Sequence, residues 1–152
     1  MNDLAEIDRS MIGTMAEPFV LDVEKGAIAR FAEAIGEAAG IYFDETYARS
    51  HGYPGIVAPP TFPTTFRSPA KASWLRGLDE GRILAGEQGF QYNRPIVAGD
   101  RLHCQLHLAA VEDKQGSAGK MELLVQNLVV TAGQGEIVCI NRRVVIYRGR
   151  PS

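Results

Sequence analysis

The run from Arg101 to Val111 alternates between apolar and polar side chains. Leu102, Cys104, Leu106 and Leu108 point one way, and Arg101, His103, Gln105 and His107 point the other. A period of two residues predicts a β-strand with one buried face. Two further runs, Lys120 to Thr131 and Glu136 to Tyr147, are rich in β-branched and aliphatic residues, which favour strands. Asp113 to Gly119 and Ala132 to Gly135 have the composition of hairpin turns. Three strands joined by short turns imply an antiparallel sheet. Ile83 to Arg94 adds a fourth strand-like run just before them.

The texture upstream of Gly81 is different. Phe19 to Val23 reads as a short strand. Glu24 to Gly36 reads as a helix, because Ile28, Phe31, Ala32 and Ile35 fall at i, i+3, i+4 and i+7 on one face. Gly36 and Gly40 end it, since glycine is poor inside helices and favoured just past them. Asp44 to Ser50 reads as a second short helix with Asp44 as its N-cap. Gly52-Tyr53-Pro54-Gly55 forces a loop. Proline is tolerated in a first helical turn, so the run from Pro59 predicts a third helix from about Thr61 to Trp74, interrupted near Pro69. The whole predicts an α+β chain in which an antiparallel sheet wraps around a central helix.

Composition bounds the class of partner. A chain of 152 residues with 45% hydrophobic content suits one globular core. With 16 basic and 18 acidic residues, the formal net charge is −2. Nucleic acid is therefore not expected as a partner, because phosphate binding needs a concentrated positive face. No apolar run approaches the roughly 18 residues of a membrane span. Met1 to Ser10 carries Asp3, Glu6 and Asp8 where a signal peptide would carry basic and then apolar residues. The expectation is a cytoplasmic protein. Its two cysteines, Cys104 and Cys139, then read as buried reduced thiols.

Few residues offer chemistry. His103 and His107 share a strand face about 13 Å apart, too far to hold one metal together, and no metal site is expected. His51 lies in the loop-rich segment and is the histidine placed to serve a pocket. The carboxylates Glu37, Asp44 and Glu45 read as helix caps and solvated surface unless other residues join them. No nucleophile elbow and no phosphate-binding loop is present.

Three stretches resemble one family. Residues 31–45 (FAEAIGEAAGIYFDE) are similar to the segment F-A-x-x-S/T-G-D-x-N-P-L/I/V-H-x-D of MaoC-like hydratases and dehydratases. Residues 52–63 (GYPGIVAPPTFP) resemble G-Y-x-G-I/L-V/L-A-P-P/L-T-F of the N-terminal type of MaoC-like domain. Residues 84–100 (LAGEQGFQYNRPIVAGD) look like a strand followed by R-P-L/I/V-x-x-G-D/E. The resemblance spans about 19–147, and the whole of 1–152 reads as a single domain. It implies a hot-dog fold and an enoyl or 3-hydroxyacyl thioester of coenzyme A or acyl carrier protein as substrate. No cofactor is implied beyond the coenzyme A or phosphopantetheine that the substrate itself carries. It also implies pairing, either as a homodimer or with a second MaoC-like subunit.

The family adds water across a double bond with an aspartate and a histidine on one loop, which share the acid and base roles. A backbone N–H near the start of the central helix stabilises the thioester oxygen. Here Glu37 stands for the aspartate, Ala39 for the asparagine, Gly40 for the proline and Tyr42 for the histidine. Pro59 stands where the family glycine gives its N–H, and proline has none to give. A phenol titrating near 10 exchanges protons poorly at neutral pH compared with an imidazole near 6.5. The resemblance therefore implies a substrate-binding subunit without the usual pair. Glu37, Tyr42 and His51 are the candidate catalytic positions. Val57, Ala58, Pro59, Pro60, Thr61 and Phe62, with Gly86, Gln88 and Phe90, are the candidate substrate contacts. Two alternatives stand beside this: a self-sufficient hydratase using Glu37, and a hot-dog thioesterase or non-catalytic acyl-CoA binder.

Overall fold

The computed structural model describes residues 6–150, so the acidic start at Met1 to Ala5 lies outside the described residues. Five strands form one antiparallel sheet in the order β1-β3-β4-β5-β2. They are β1 (Phe19–Asp22), β2 (Ile83–Tyr92), β3 (Arg101–Gly116), β4 (Gly119–Ala132) and β5 (Glu136–Arg148). The hairpins β3-β4 and β4-β5 follow the turns expected from sequence. β2 does not pair with β3, its neighbour in the chain. It crosses to the far side and pairs with β5, and its other edge has no partner strand among the described residues. This sheet with few helices is a hot-dog fold.

The helix against the sheet is α1 (Lys25–Ala34), whose Ile28 and Ala32 are fully buried. It packs on Phe19, Val23, Leu102, Cys104, Leu128 and Val130. Ile35, at the end of the apolar stripe, instead faces solvent because the helix stops there. Gly36 follows with φ +78°, and two hydrogen bonds close the end: Gly36 N–H to Glu33 O at 3.1 Å and Glu37 N–H to Ala32 O at 2.9 Å. This is the glycine-ended motif that satisfies the last helical carbonyls. In α2 (Glu45–Ser50), Asp44 Oδ1 accepts from Tyr47 N–H at 2.8 Å, as its capping role requires.

The third helix is absent. Residues 61–74 form one 3₁₀ turn at Phe62–Thr65 and a second at Ser73–Leu75, joined by irregular chain. Pro63 and Pro69 lack donors, and Thr64 and Thr65 are β-branched, so an α-helix gains little here. The turn is held instead from the sheet. Arg143 Nη2 donates to Pro63 O at 2.8 Å and Phe66 O at 3.1 Å, while its Nε donates to Asn141 Oδ1 at 2.6 Å.

That arginine belongs to a polar belt across the inner face of the sheet. Gln88, Arg143 and Gln126 lie in register on β2, β5 and β4, with Asn141 two residues along β5. Trp74 Nε1 donates to Gln126 Oε1 at 2.8 Å, and Asn141 Nδ2 donates to Gln88 Oε1 at 3.2 Å. On one side of the belt lies the α1 cluster. On the other, Leu108, Val111, Leu124 and Tyr147 pack under Trp74, Ile7 and Ala16. The belt consequently divides the core in two. Arg143 carries no carboxylate partner among the described residues. Burial, and then the nearby charge of Arg67, pull its pKa down to about 10, which still leaves it charged at neutral pH.

Cys104 and Cys139 are both buried and free. Val130 sits between them in register, so two strand spacings, roughly 10 Å, separate their backbones. That span is too wide for a disulfide. Burial pushes the thiols up to about 12 and about 11. No helix among the described residues is long and apolar enough to cross a membrane.

Candidate functional site

The three motif stretches meet: Val57 N–H donates to Ile41 O at 3.0 Å. Ala58 N–H donates to Ile96 O at 2.8 Å and Ala98 N–H to Ile56 O at 2.8 Å, with Val57 and Val97 bridged between them. The 94–100 stretch is a built turn. The Arg94 guanidinium forks onto both Asp100 carboxylate oxygens at 2.9 and 3.1 Å. Asp100 Oδ2 also accepts Val97 N–H at 2.9 Å. Gly99, at φ +93°, makes the reversal that other residues rarely adopt. The pattern R-P-x-x-x-G-D is therefore a structural device that presents Arg94 and Pro95 to the neighbouring loop.

Between these stretches lies a mostly apolar cavity of about 340 Å³. Ile41, Tyr42, Tyr53, Val57, Ala58 and Pro60 form one wall, with Tyr92, Asn93, Arg94 and Pro95 opposite. Tyr92 OH donates to Pro60 O at 2.7 Å and ties the two walls together. Burial raises the Tyr92 pKa, so this phenol stays a donor.

Tyr42 lines the cavity and Glu37 does not. The glycine-ended stop of α1 sets Glu37 just past the helix, and the 3₁₀ turn Gly40–Tyr42 returns the chain to the cavity. The Tyr42 pKa is raised, first by burial and then by the charges of Glu37 and Tyr53. Both groups thus stand within electrostatic reach of the Tyr42 hydroxyl. Glu37 itself is exposed.

The other candidates are scattered. His51 does not line this cavity. Its ring stacks on Tyr47 with centroids 4.1 Å apart, and its Nδ1 lies 2.8 Å from Tyr47 O, so the C-terminus of α2 holds it. Pro59 and Phe62 are buried; Phe62 meets Phe31 edge-on at 5.5 Å. Thr61 is exposed at the start of the turn. Gly86, Gln88 and Phe90 lie along β2 away from the cavity walls. Gly86 sits at a bulge, and a Cβ there would come within 2.8 Å of Ile146 Cγ1, which accounts for glycine on packing grounds. Sequence reasoning missed Ile41, Tyr53, Tyr92, Asn93, Arg94 and Pro95 as wall residues. All of them fall inside the stretches that carry the resemblance, so the signal was present.

The model of the FAS1-like dehydratase domain region matches residues 10–141. The chain belongs to the MaoC-like dehydratase family. Among curated relatives, a UPF0336 protein of Saccharopolyspora erythraea is 34% identical, over 94% of this chain and 92% of its own length. Among solved structures, the C-terminally truncated HadBC (3R-hydroxyacyl-ACP dehydratase) complex of Mycobacterium tuberculosis is 26% identical. It has a TM-score of 0.77 and covers 90% of this chain and 96% of that one. The ChsH1-ChsH2 complex of the same organism is 25% identical, with a TM-score of 0.72, covering 91% and 88%. Both of these MaoC-like relatives are complexes of two named components.

Proposed function

We infer that the chain is the acyl-thioester-binding subunit of a two-subunit dehydratase, acting in the cytoplasm on an acyl-CoA or acyl-carrier-protein substrate. The observation that carries this reading is the wall of the 340 Å³ cavity. It is apolar, it is built from the motif stretches, and it presents Tyr42 where the family has its histidine. A protonated phenol with a carboxylate in electrostatic reach gives one acceptor and one donor but no group poised to exchange protons near neutrality. The run Val57–Pro60 offers no free backbone donor for an oxyanion. Val57 and Ala58 N–H are spent on Ile41 O and Ile96 O, and Pro59 and Pro60 have none.

The outer edge of β2, unpaired among the described residues, supports partnership, because an unpaired strand edge invites another sheet. It would bring Gly86, Gln88 and Phe90 to the joint with a second MaoC-like subunit or a second copy. The two-component composition of the HadBC and ChsH1-ChsH2 complexes agrees with this.

The test is an assay of enoyl-CoA hydration. The purified chain is expected to be inactive alone and to gain activity when a chain with an intact G-D-x-N-P-x-H segment is added. Rapid turnover by the chain alone would remove the reading. A second reading, a complete enzyme with Glu37 as base, draws on the electrostatic reach between Glu37 and Tyr42. It requires that turnover by the lone chain exist and collapse in Glu37→Gln.

A further inference from the structure

The cavity is short of hydrogen-bond donors, and the shortage identifies the ones that matter. Among its side-chain donors, Tyr92 OH is committed to Pro60 O, Asn93 Nδ2 to Ile137 O, and Arg94 to Asp100, Glu136 and Pro95 O. The hydroxyls of Tyr42 and Tyr53 are the two side-chain donors of the lining that make no hydrogen bond at all. Both residues line the cavity, and neither hydroxyl has a hydrogen-bond partner among the described residues. A hydroxyl without a protein partner is served by water until a ligand displaces that water, and the ligand then has to supply the acceptor.

We propose that the Tyr42 and Tyr53 hydroxyls jointly donate to the carbonyl oxygen of the bound thioester, in place of the backbone N–H that Pro59 removes. The proposal rests on the acyl-thioester reading above and specifies which atom of the ligand the cavity grips. An acceptor oxygen fits this pair, and a ligand that displaces their water without offering one leaves the hydroxyls unpaired. The same arrangement explains why tyrosine at position 42 is compatible with binding although it is poor for proton exchange. The phenol keeps its proton and so remains a donor at neutral pH.

Two probes decide it: octanoyl-CoA, and the thioether S-octyl-CoA, in which a methylene replaces the carbonyl. Dissociation constants are measured by calorimetry for the unaltered chain and for Tyr42→Phe and Tyr53→Phe, each checked for an unchanged melting temperature. The expected result is that each substitution weakens octanoyl-CoA by about tenfold and leaves S-octyl-CoA unchanged. Equal affinity of the unaltered chain for the two probes would overturn the proposal while leaving the acyl-binding reading intact. Equal weakening of both probes by the substitutions would also overturn it, since that marks a loss of shape and not of a hydrogen bond. Failure of the unaltered chain to bind either probe would bring down the acyl-thioester reading itself, and the proposal with it.

Discussion

The two halves of the core are built from the same sheet but covered by different means. On one side of the polar belt, Leu102, Cys104, Leu128 and Val130 are roofed by α1 and by the Ile56–Phe66 loop, which also walls the cavity. On the other, Leu108, Leu124 and Tyr147 are roofed by Trp74 and by the irregular N-terminal stretch through Ile7 and Ala16. The cavity half is pinned largely by main-chain bonds and by the Arg94–Asp100 turn. The far half is pinned by side-chain charges: Arg82 forks onto Glu6 at 2.9 Å on both prongs, and Glu122 Oε2 accepts Glu6 N–H at 3.0 Å. Both halves thus use an arginine–carboxylate fork, but in the cavity half it closes a turn between residues 6 apart, and in the far half it ties the N-terminal stretch to a residue 76 away.

Strand β4 offers the sharpest test of this division. Its inner face runs Leu124, Gln126, Leu128, which places one leucine in each half with the belt between them. Both leucines are at most 1% exposed. Replacing either by alanine should cost about 2–5 kcal/mol by chemical denaturation. Leu128→Ala should also weaken octanoyl-CoA binding, and Leu124→Ala should not. Equal effects on binding would show that the belt does not separate the halves.

Arg143→Met comes next in size. It leaves Asn141 Oδ1 and Phe66 O without a donor and Pro63 O with the Phe66 N–H alone, a cost of about 2–3 kcal/mol. Arg143→Lys should recover only part, because one ammonium cannot reproduce the fork. A melting temperature unchanged in Arg143→Met would mean that the belt is not what holds the 3₁₀ turn.

Acid should act on the far half first. The hydrogen bond from Arg82 holds the Glu6 carboxyl below its ordinary range. A depressed folded pKa means the unfolded chain binds the proton more readily. The stabilisation is therefore complete above about pH 4.5 and is lost as the pH falls through the folded value. Melting temperatures between pH 6 and pH 3 should fall more steeply for the unaltered chain than for Glu6→Gln. Parallel curves would remove Glu6 from the account.

The smallest effect belongs to His51→Ala, within about 0.5 kcal/mol and without change in octanoyl-CoA affinity. A clear loss of binding would return His51 to the site.

What sequence could reveal follows the same division. The spacing of Ile28, Phe31 and Ala32 and the alternation in β3 are local periodicities, and both survive folding intact. The stop at Gly36 and the cap at Asp44 are local too. The helix expected from Thr61 failed because its replacement is held by Arg143, 80 residues away from Pro63, and no local pattern records such a bond. Ile7 and Ala16 are solitary apolar residues with no period, so their role as a roof could not be read. At the site, Tyr42 and the Val57–Pro60 wall came from the resemblance. His51 was chosen on loop position alone, and its stacking on Tyr47 went unforeseen.

The bridge at Val57 and Val97 and the glycine-ended helix hold their wall with main-chain atoms. The side chains at 37 and 42 ride on that frame without supporting it. Such a scaffold can shed its chemistry and keep its shape.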